Sequence, residues 1–160
     1  MGQAISMAKI NDEELFLTTT DTVIGLGGKV NPVVAQKIYA LKQRPLDKRL
    51  VIVVANLKQL KQLEKLETKH YFYIEKYWPG PTTLIINNQA YRIPDQPQLR
   101  QLIAKEGPFY LTSANLSKCS TIINIQKAKQ VFPNLKVFDF GSGSNQASTI
   151  IDTETGKKLR

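Results

Sequence analysis

Apolar residues arrive in short bursts along this chain, and their spacing changes from one burst to the next. Residues 15–18 read as a short strand. Residues 22–26 are an apolar segment that runs into Gly25, Gly27 and Gly28. Asn31-Pro32 then predicts a helix start, with Asn as N-cap and Pro in the first turn. Val34, Ile38 and Leu41 recur at spacings of four and three, which makes them the apolar stripe of that helix. The helix should stop near Arg44, because the residue before Pro45 is pushed out of helical geometry. Residues 50–55 form an unbroken Leu-Val-Ile-Val-Val-Ala run, the pattern of a strand buried on both faces.

Leu57, Leu60, Leu63 and Leu66 recur every three residues and predict a second helix with a leucine core stripe. Another helical stretch runs toward Trp78 and is broken by Pro79-Gly80-Pro81. Further strands are predicted at 82–86, 91–93, 109–112, 136–140 and 148–152, and further helices at 98–104 and 125–132. Residues 141–145 have loop chemistry, and on composition 141–148 is a candidate lid. Strands and helices alternate without internal repeats or a linker. The expectation is one α/β domain over residues 1–160, with a twisted sheet flanked by helices.

Composition adds exclusions. A chain of 160 residues, 42% apolar and 22% charged, has the make-up of one ordinary globular domain. The longest strongly apolar run is 50–55, far below the roughly 18 residues of a membrane span. No basic start with an apolar stretch marks a secretory signal, so a cytoplasmic location is expected. Cys119 is a lone cysteine, which removes disulfide and cysteine-zinc frameworks and leaves a loop spectator. His70 is the single histidine, so neither HExxH nor a multi-His metal cage is possible. It sits in the polar run Glu67-Thr68-Lys69-His70-Tyr71 and reads as a surface helical residue. No protein metal site is expected. Two short matches carry little weight: residues 1–6 fit an N-myristoylation pattern, and Asn115-Leu116-Ser117 fits a glycosylation sequon.

Charge changes the picture more. Lys plus Arg is 22 against 13 Asp plus Glu, a net +9. Such a surface attracts nucleotides, RNA, DNA or acidic membranes, or merely solubilises the chain. Residues 42–49 concentrate four positive charges, Lys42, Arg44, Lys48 and Arg49, against Asp47 alone. They can converge on an anion at the sheet margin, or simply complement a helix C-terminus. Gly25-Leu26-Gly27-Gly28-Lys29 lacks the spacing of a phosphate loop and reads as a tight strand-to-helix turn. Thr112-Ser113-Ala114-Asn115-Leu116-Ser117 after a buried strand offers hydroxyls and an amide to a ligand, or an ordinary turn. Thr18-Thr19-Thr20-Asp21-Thr22 offers the same choice between a polar recognition segment and a solvated turn.

Taken in order, Thr20-Asp21-Thr22-Val23…Gly25-Leu26-Gly27, Lys42-Gln43-Arg44-Pro45, Trp78-Pro79-Gly80-Pro81-Thr82-Thr83-Leu84, Arg92-Ile93-Pro94-Asp95, Thr112 to Ser117 and Ser148-Thr149-Ile150-Ile151-Asp152 resemble the YrdC-like family of L-threonylcarbamoyl-AMP synthases. The resemblance implies a sheet of parallel and antiparallel strands around a basic concave cavity. It implies an enzyme, a nucleotidyltransferase that joins L-threonine, bicarbonate and ATP into L-threonylcarbamoyl-AMP and pyrophosphate. The product would go to a downstream transferase complex that modifies adenosine 37 of tRNA.

By the same resemblance, Lys42, Arg44, Ser113 and Asn115 would form the catalytic tetrad. Thr20, Thr22 and Arg92 would bind threonine. The nucleotide would contact Lys42, Arg44, Thr112, Ser113, Asn115, Ser148 and Arg160, with Mg²⁺ carried by ATP. Thr19 stands where the family usually has proline, Ile24 where it has an aromatic, and Lys118 where it has glycine. A non-catalytic RNA-binding protein using the same basic cavity is the alternative.

Overall fold

The computed structural model describes residues 9–160. The N-terminal myristoylation pattern lies outside the described residues. The elements are β1 (Leu15–Thr18), β2 (Gly25–Lys29), α1 (Pro32–Lys42), β3 (Val51–Val53), α2 (Leu57–Leu63), α3 (Thr68–Tyr77), β4 (Thr82–Ile86), β5 (Gln89–Arg92), α4 (Pro97–Glu106), β6 (Phe109–Ser113), α5 (Ile125–Val131), β7 (Lys136–Phe138) and β8 (Thr149–Asp152). The strands form one mixed sheet in the order β7-β1-β2-β6-β3-β5-β4-β8. Pairs β1/β7, β3/β5 and β4/β8 are parallel. Pairs β1/β2, β2/β6, β3/β6 and β4/β5 are antiparallel.

Helix starts follow the sequence chemistry. The Asn31, Asn56 and Asn124 side chains accept from backbone N–H groups three residues on, and Gln96 does the same for α4. The α3 start is different, and it corrects the reading of His70. That imidazole is fully buried, and its Nδ1 accepts from the Glu67 backbone N–H at 2.9 Å. A polar neighbourhood in sequence did not reveal an inward-turned cap.

Two stripes also differ from their spacing. In α1, Val34 and Ile38 are buried, but Leu41 is 38% exposed and Lys42 takes the third inward position. Lys42 continues the four-residue spacing, and its ammonium finds acceptors on β6, described below. The α1 helix ends there, with Gln43 left-handed at φ 54°. In the leucine series only Leu60 is fully buried, and α2 stops at Leu63, which is 39% exposed.

The glycine segment is strand β2 itself, not a strand-to-helix turn. A Cβ on Gly27 would lie 2.3 Å from the Tyr110 carbonyl oxygen, so the close approach of β2 to β6 requires glycine there.

Alternation along the strands splits the sheet into two faces. Ile52, Val54, Leu84, Ile86, Tyr91, Ile93 and Ile151 pack with Leu60 of α2 and Ile74 of α3. On the opposite face Phe16, Val53, Phe109 and Leu111 pack with Leu99, Leu102 and Ile103 of α4. Helix α4 covers only part of that face. Beyond it, Thr83, Ile85, Ala90, Arg92 and Ile150 line a cavity.

Candidate active site

The cavity has a volume of about 340 Å³. Its floor is the uncovered sheet face, where Val51, Val53, Ile85, Ala90, Leu111 and Ile150 supply apolar surface. Its walls bring together Thr20, Thr22, Arg44, Arg92, Thr112, Ser113, Asn115, Ser148 and Arg160. These positions span most of the chain, and the sheet order is what makes them neighbours.

Lys42 alone of the expected residues does not border the cavity. It is 1% exposed and sits behind the wall. Its Nζ donates to Thr112 Oγ1 at 3.0 Å, to the Ser113 carbonyl at 2.7 Å and to Ser113 Oγ at 3.3 Å. Burial, and then the Arg44 charge, lower its pKa from 10.5 to about 8. A proton is therefore lost from the folded protein at lower pH than from the unfolded chain, so stability rises between about pH 8 and 10.5. Anion binding has the opposite sign, because the bound anion favours the ammonium. Affinity for sulfate, whose charge does not change over this range, is expected to be flat below about pH 8 and to fall above it. Calorimetric sulfate titrations check this, and Lys42→Met should show no such fall.

Arg44 is held by its own loop. Its Nη2 donates to the Arg49 carbonyl at 2.7 Å and its Nε to the Lys48 carbonyl at 3.4 Å. Asn115 donates both amide hydrogens, to the Leu116 carbonyl at 2.9 Å and the Cys119 carbonyl at 3.1 Å. Its Oδ1 is buried and has no partner among the described residues. This residue is set to accept from a ligand N–H or O–H.

A directional network holds the threonine-rich segment. Thr20 Oγ1 donates its one hydrogen to the Val23 carbonyl at 2.6 Å. It must therefore accept from Thr22 Oγ1 at 3.1 Å, and it accepts from the Thr22 N–H at 2.9 Å. Thr22 Oγ1 in turn accepts from Arg92 Nη2 at 2.9 Å. Arg92 Nη1 pairs with Asp21 Oδ1 at 2.7 Å and donates to the Gly80 carbonyl at 3.1 Å. Asp21 Oδ2 accepts from the Asp95 N–H at 2.9 Å. The sequence reading placed Asp21 in a polar recognition segment or a solvated turn and did not pair it with Arg92.

On the far wall, Ser148 Oγ meets Thr83 Oγ1 at 2.8 Å. Arg160 donates to the Ser148 carbonyl at 2.8 Å and to Ser148 Oγ at 3.1 Å. Burial, then the Arg44 and Arg92 charges, push the Arg160 guanidinium pKa down.

A second cavity of about 270 Å³ shares Thr20, Thr22 and Val23 with the first. The loop beside it is strapped down. Ser144 N–H donates to the Asp21 carbonyl at 3.0 Å and Asn145 N–H to the Thr22 carbonyl at 2.9 Å.

Arg49, one of the four charges of residues 42–49, also borders the cavity, and so do Thr83 and Thr121, to which the sequence reading gave no site role. Alternation from Ile85 back to Thr83 would have found that threonine. Cys119 is exposed in its loop. No cluster of three or more His, Cys, Asp or Glu suited to a metal occurs among the described residues. No helix among them is long and apolar enough to cross a membrane.

Comparison with known proteins places this arrangement. Residues 8–160 match the Sua5, YciO and YrdC family, described as telomere recombination. A threonylcarbamoyl-AMP synthase of Psychromonas ingrahamii is 33% identical over 88% of this chain and 86% of its own. One from Yersinia enterocolitica is 31% identical over 94% of this chain and 90% of its own. The structure of P. abyssi Sua5 complexed with L-threonine superimposes with a TM-score of 0.81 at 25% identity, covering 94% of this chain. This chain spans 50% of that Sua5. E. coli YciO, at 18% identity and a TM-score of 0.80, shares the fold. The mixed sheet with helices flanking it and these matches make the chain a member of the Sua5, YciO and YrdC family.

Proposed function

We propose that this chain, as one domain, is an L-threonylcarbamoyl-AMP synthase, using L-threonine, bicarbonate and ATP. The observation that carries the reading is the convergence on one cavity of two different polar clusters. One is the Thr20, Thr22 and Arg92 network. The other is the cationic wall of Arg44 and Arg160, with Lys42 behind it. The first suits an amino acid, and the second suits a phosphate chain.

The chemistry needs both. The threonine amine attacks the bicarbonate carbon and water leaves, giving a carbamate. A carbamate oxygen then attacks the α-phosphorus of ATP, and the bond from that phosphorus to the bridging oxygen breaks. Pyrophosphate departs with the bond electrons. Negative charge crowds the site throughout, so fixed cations and donors serve it better than a dedicated base. Arg44 offers a planar fork to phosphate oxygens. Lys42 fixes Thr112 and Ser113 and adds charge from behind. The apolar floor keeps bulk water from a labile carbamate. Mg²⁺ enters as part of the ATP substrate, riding mainly on phosphate oxygens.

In this reading the product passes to a downstream tRNA threonylcarbamoyl transferase complex in the cytoplasm. The test is mass analysis of the nucleotide formed from ATP, Mg²⁺, bicarbonate and L-threonine. Threonylcarbamoyl-AMP is expected. Steep salt-dependent RNA binding with no adenylate formed would instead favour an RNA-binding protein.

A further inference from the structure

Four arginines line the cavity: Arg44, Arg49, Arg92 and Arg160. Three are tied to the protein. Arg92 pairs with Asp21, Arg160 donates to Ser148, and Arg44 donates to two loop carbonyls. Arg49 differs. Its guanidinium makes no hydrogen bond or ion pair with the described residues. Its base is nevertheless fixed. The Arg49 carbonyl accepts from Arg44 Nη2 at 2.7 Å, and the next residue, Leu50, is 4% exposed. Arg49 is thus a free cation on an anchored stem at the exposed lip of the cavity, beside Arg44.

We infer that Arg49 is a further substrate-contacting residue that grips the solvent-side end of the polyphosphate, the part that leaves as pyrophosphate. This rests on the adenylate-forming reading above. Arg44 Nη2 rests on the Arg49 carbonyl, so both side chains leave one point of the cavity rim, and a polyanion can be laid across both guanidinium groups. In this assignment the tethered Arg44 takes the inner phosphate. The untethered Arg49 can follow the outer phosphates as they move off. The threonine network needs no second arginine, because Arg92 already serves Thr22 and Asp21.

The experiment is calorimetric binding of ATP, AMP, inorganic pyrophosphate and L-threonine to the intact protein, Arg49→Ala and Arg49→Lys. The alanine variant should weaken ATP and pyrophosphate about tenfold, a modest loss because the residue is exposed. AMP and threonine affinity and melting temperature should stay put, and lysine should restore part of the loss. In turnover, KM for ATP rises while kcat and KM for threonine hold. Unchanged ATP and pyrophosphate binding, or an equal loss for AMP, overturns the assignment. Binding is read without turnover, so the two ideas separate. If Arg49→Ala loses ATP and pyrophosphate affinity but the wild-type protein makes no adenylate, only the synthase reading is overturned. A wild-type protein that binds neither ATP nor pyrophosphate overturns both.

Discussion

Replacing Arg44 with alanine is expected to slow pyrophosphate release by roughly 10²-fold or more, the loss typical of an electrostatic donor aimed at developing charge. The guanidinium borders the cavity and is oriented by the Lys48 and Arg49 carbonyls, so its fork is pre-set before substrate arrives. A pre-set donor acts in the transition state without reorganising, and its removal should lower kcat as well as raise KM for ATP. Lysine should rescue little, because a point charge on a flexible stem cannot reproduce the fork. Arg44 is not part of the hydrophobic core, so the melting temperature should move little. Steady-state kinetics on both variants check this, and near-normal turnover in Arg44→Ala removes the assigned role.

The other large effect concerns Arg92 and is on stability first. Its side chain is 6% exposed and that of Asp21 is 12% exposed, with 2.7 Å between the charged atoms. Arg92→Met leaves the Asp21 carboxylate nearly buried with only the Asp95 N–H to satisfy it. Breaking a buried pair from one side typically costs about 3–5 kcal/mol. Denaturant unfolding of the variant measures the loss. Adding Asp21→Asn to Arg92→Met removes the stranded charge and should recover part of it. Threonine affinity should not recover with it, because Thr22 Oγ1 still lacks the Arg92 donor that orients the Thr20 and Thr22 hydroxyls. Full recovery of both would mean that Arg92 serves the fold and nothing else.

The strands and helices were legible because each carries its own period and its own punctuation. Asn31-Pro32 and the Pro79-Gly80-Pro81 break are local signals, and the structure uses both at element boundaries. The sequence could not say that the third inward position of α1 belongs to Lys42 rather than Leu41. That choice depends on acceptors Thr112 and Ser113, some seventy residues away. His70 misled in a similar way: its cap partner Glu67 is local, but the polar neighbours in sequence do not show that the imidazole is fully buried. The glycines of β2 have the composition of a turn, and nothing local announces the Tyr110 carbonyl pressing against Gly27.

The expected site residues were visible through a resemblance, and the cavity gathers all ten of them but Lys42 along its walls. Asp21 and Arg49 were the harder residues. The Asp21 side chain is held by Arg92 and the Asp95 N–H, both more than seventy residues away, and in sequence Arg49 is one positive charge among four in residues 42–49.

The most direct test of the synthase assignment is pyrophosphate release from MgATP, with bicarbonate and L-threonine each omitted in turn and the nucleotide product weighed. Release should require all three substrates and should match threonylcarbamoyl-AMP one for one. Release that persists without threonine or bicarbonate, or none at all from folded protein that binds ATP, would contradict it.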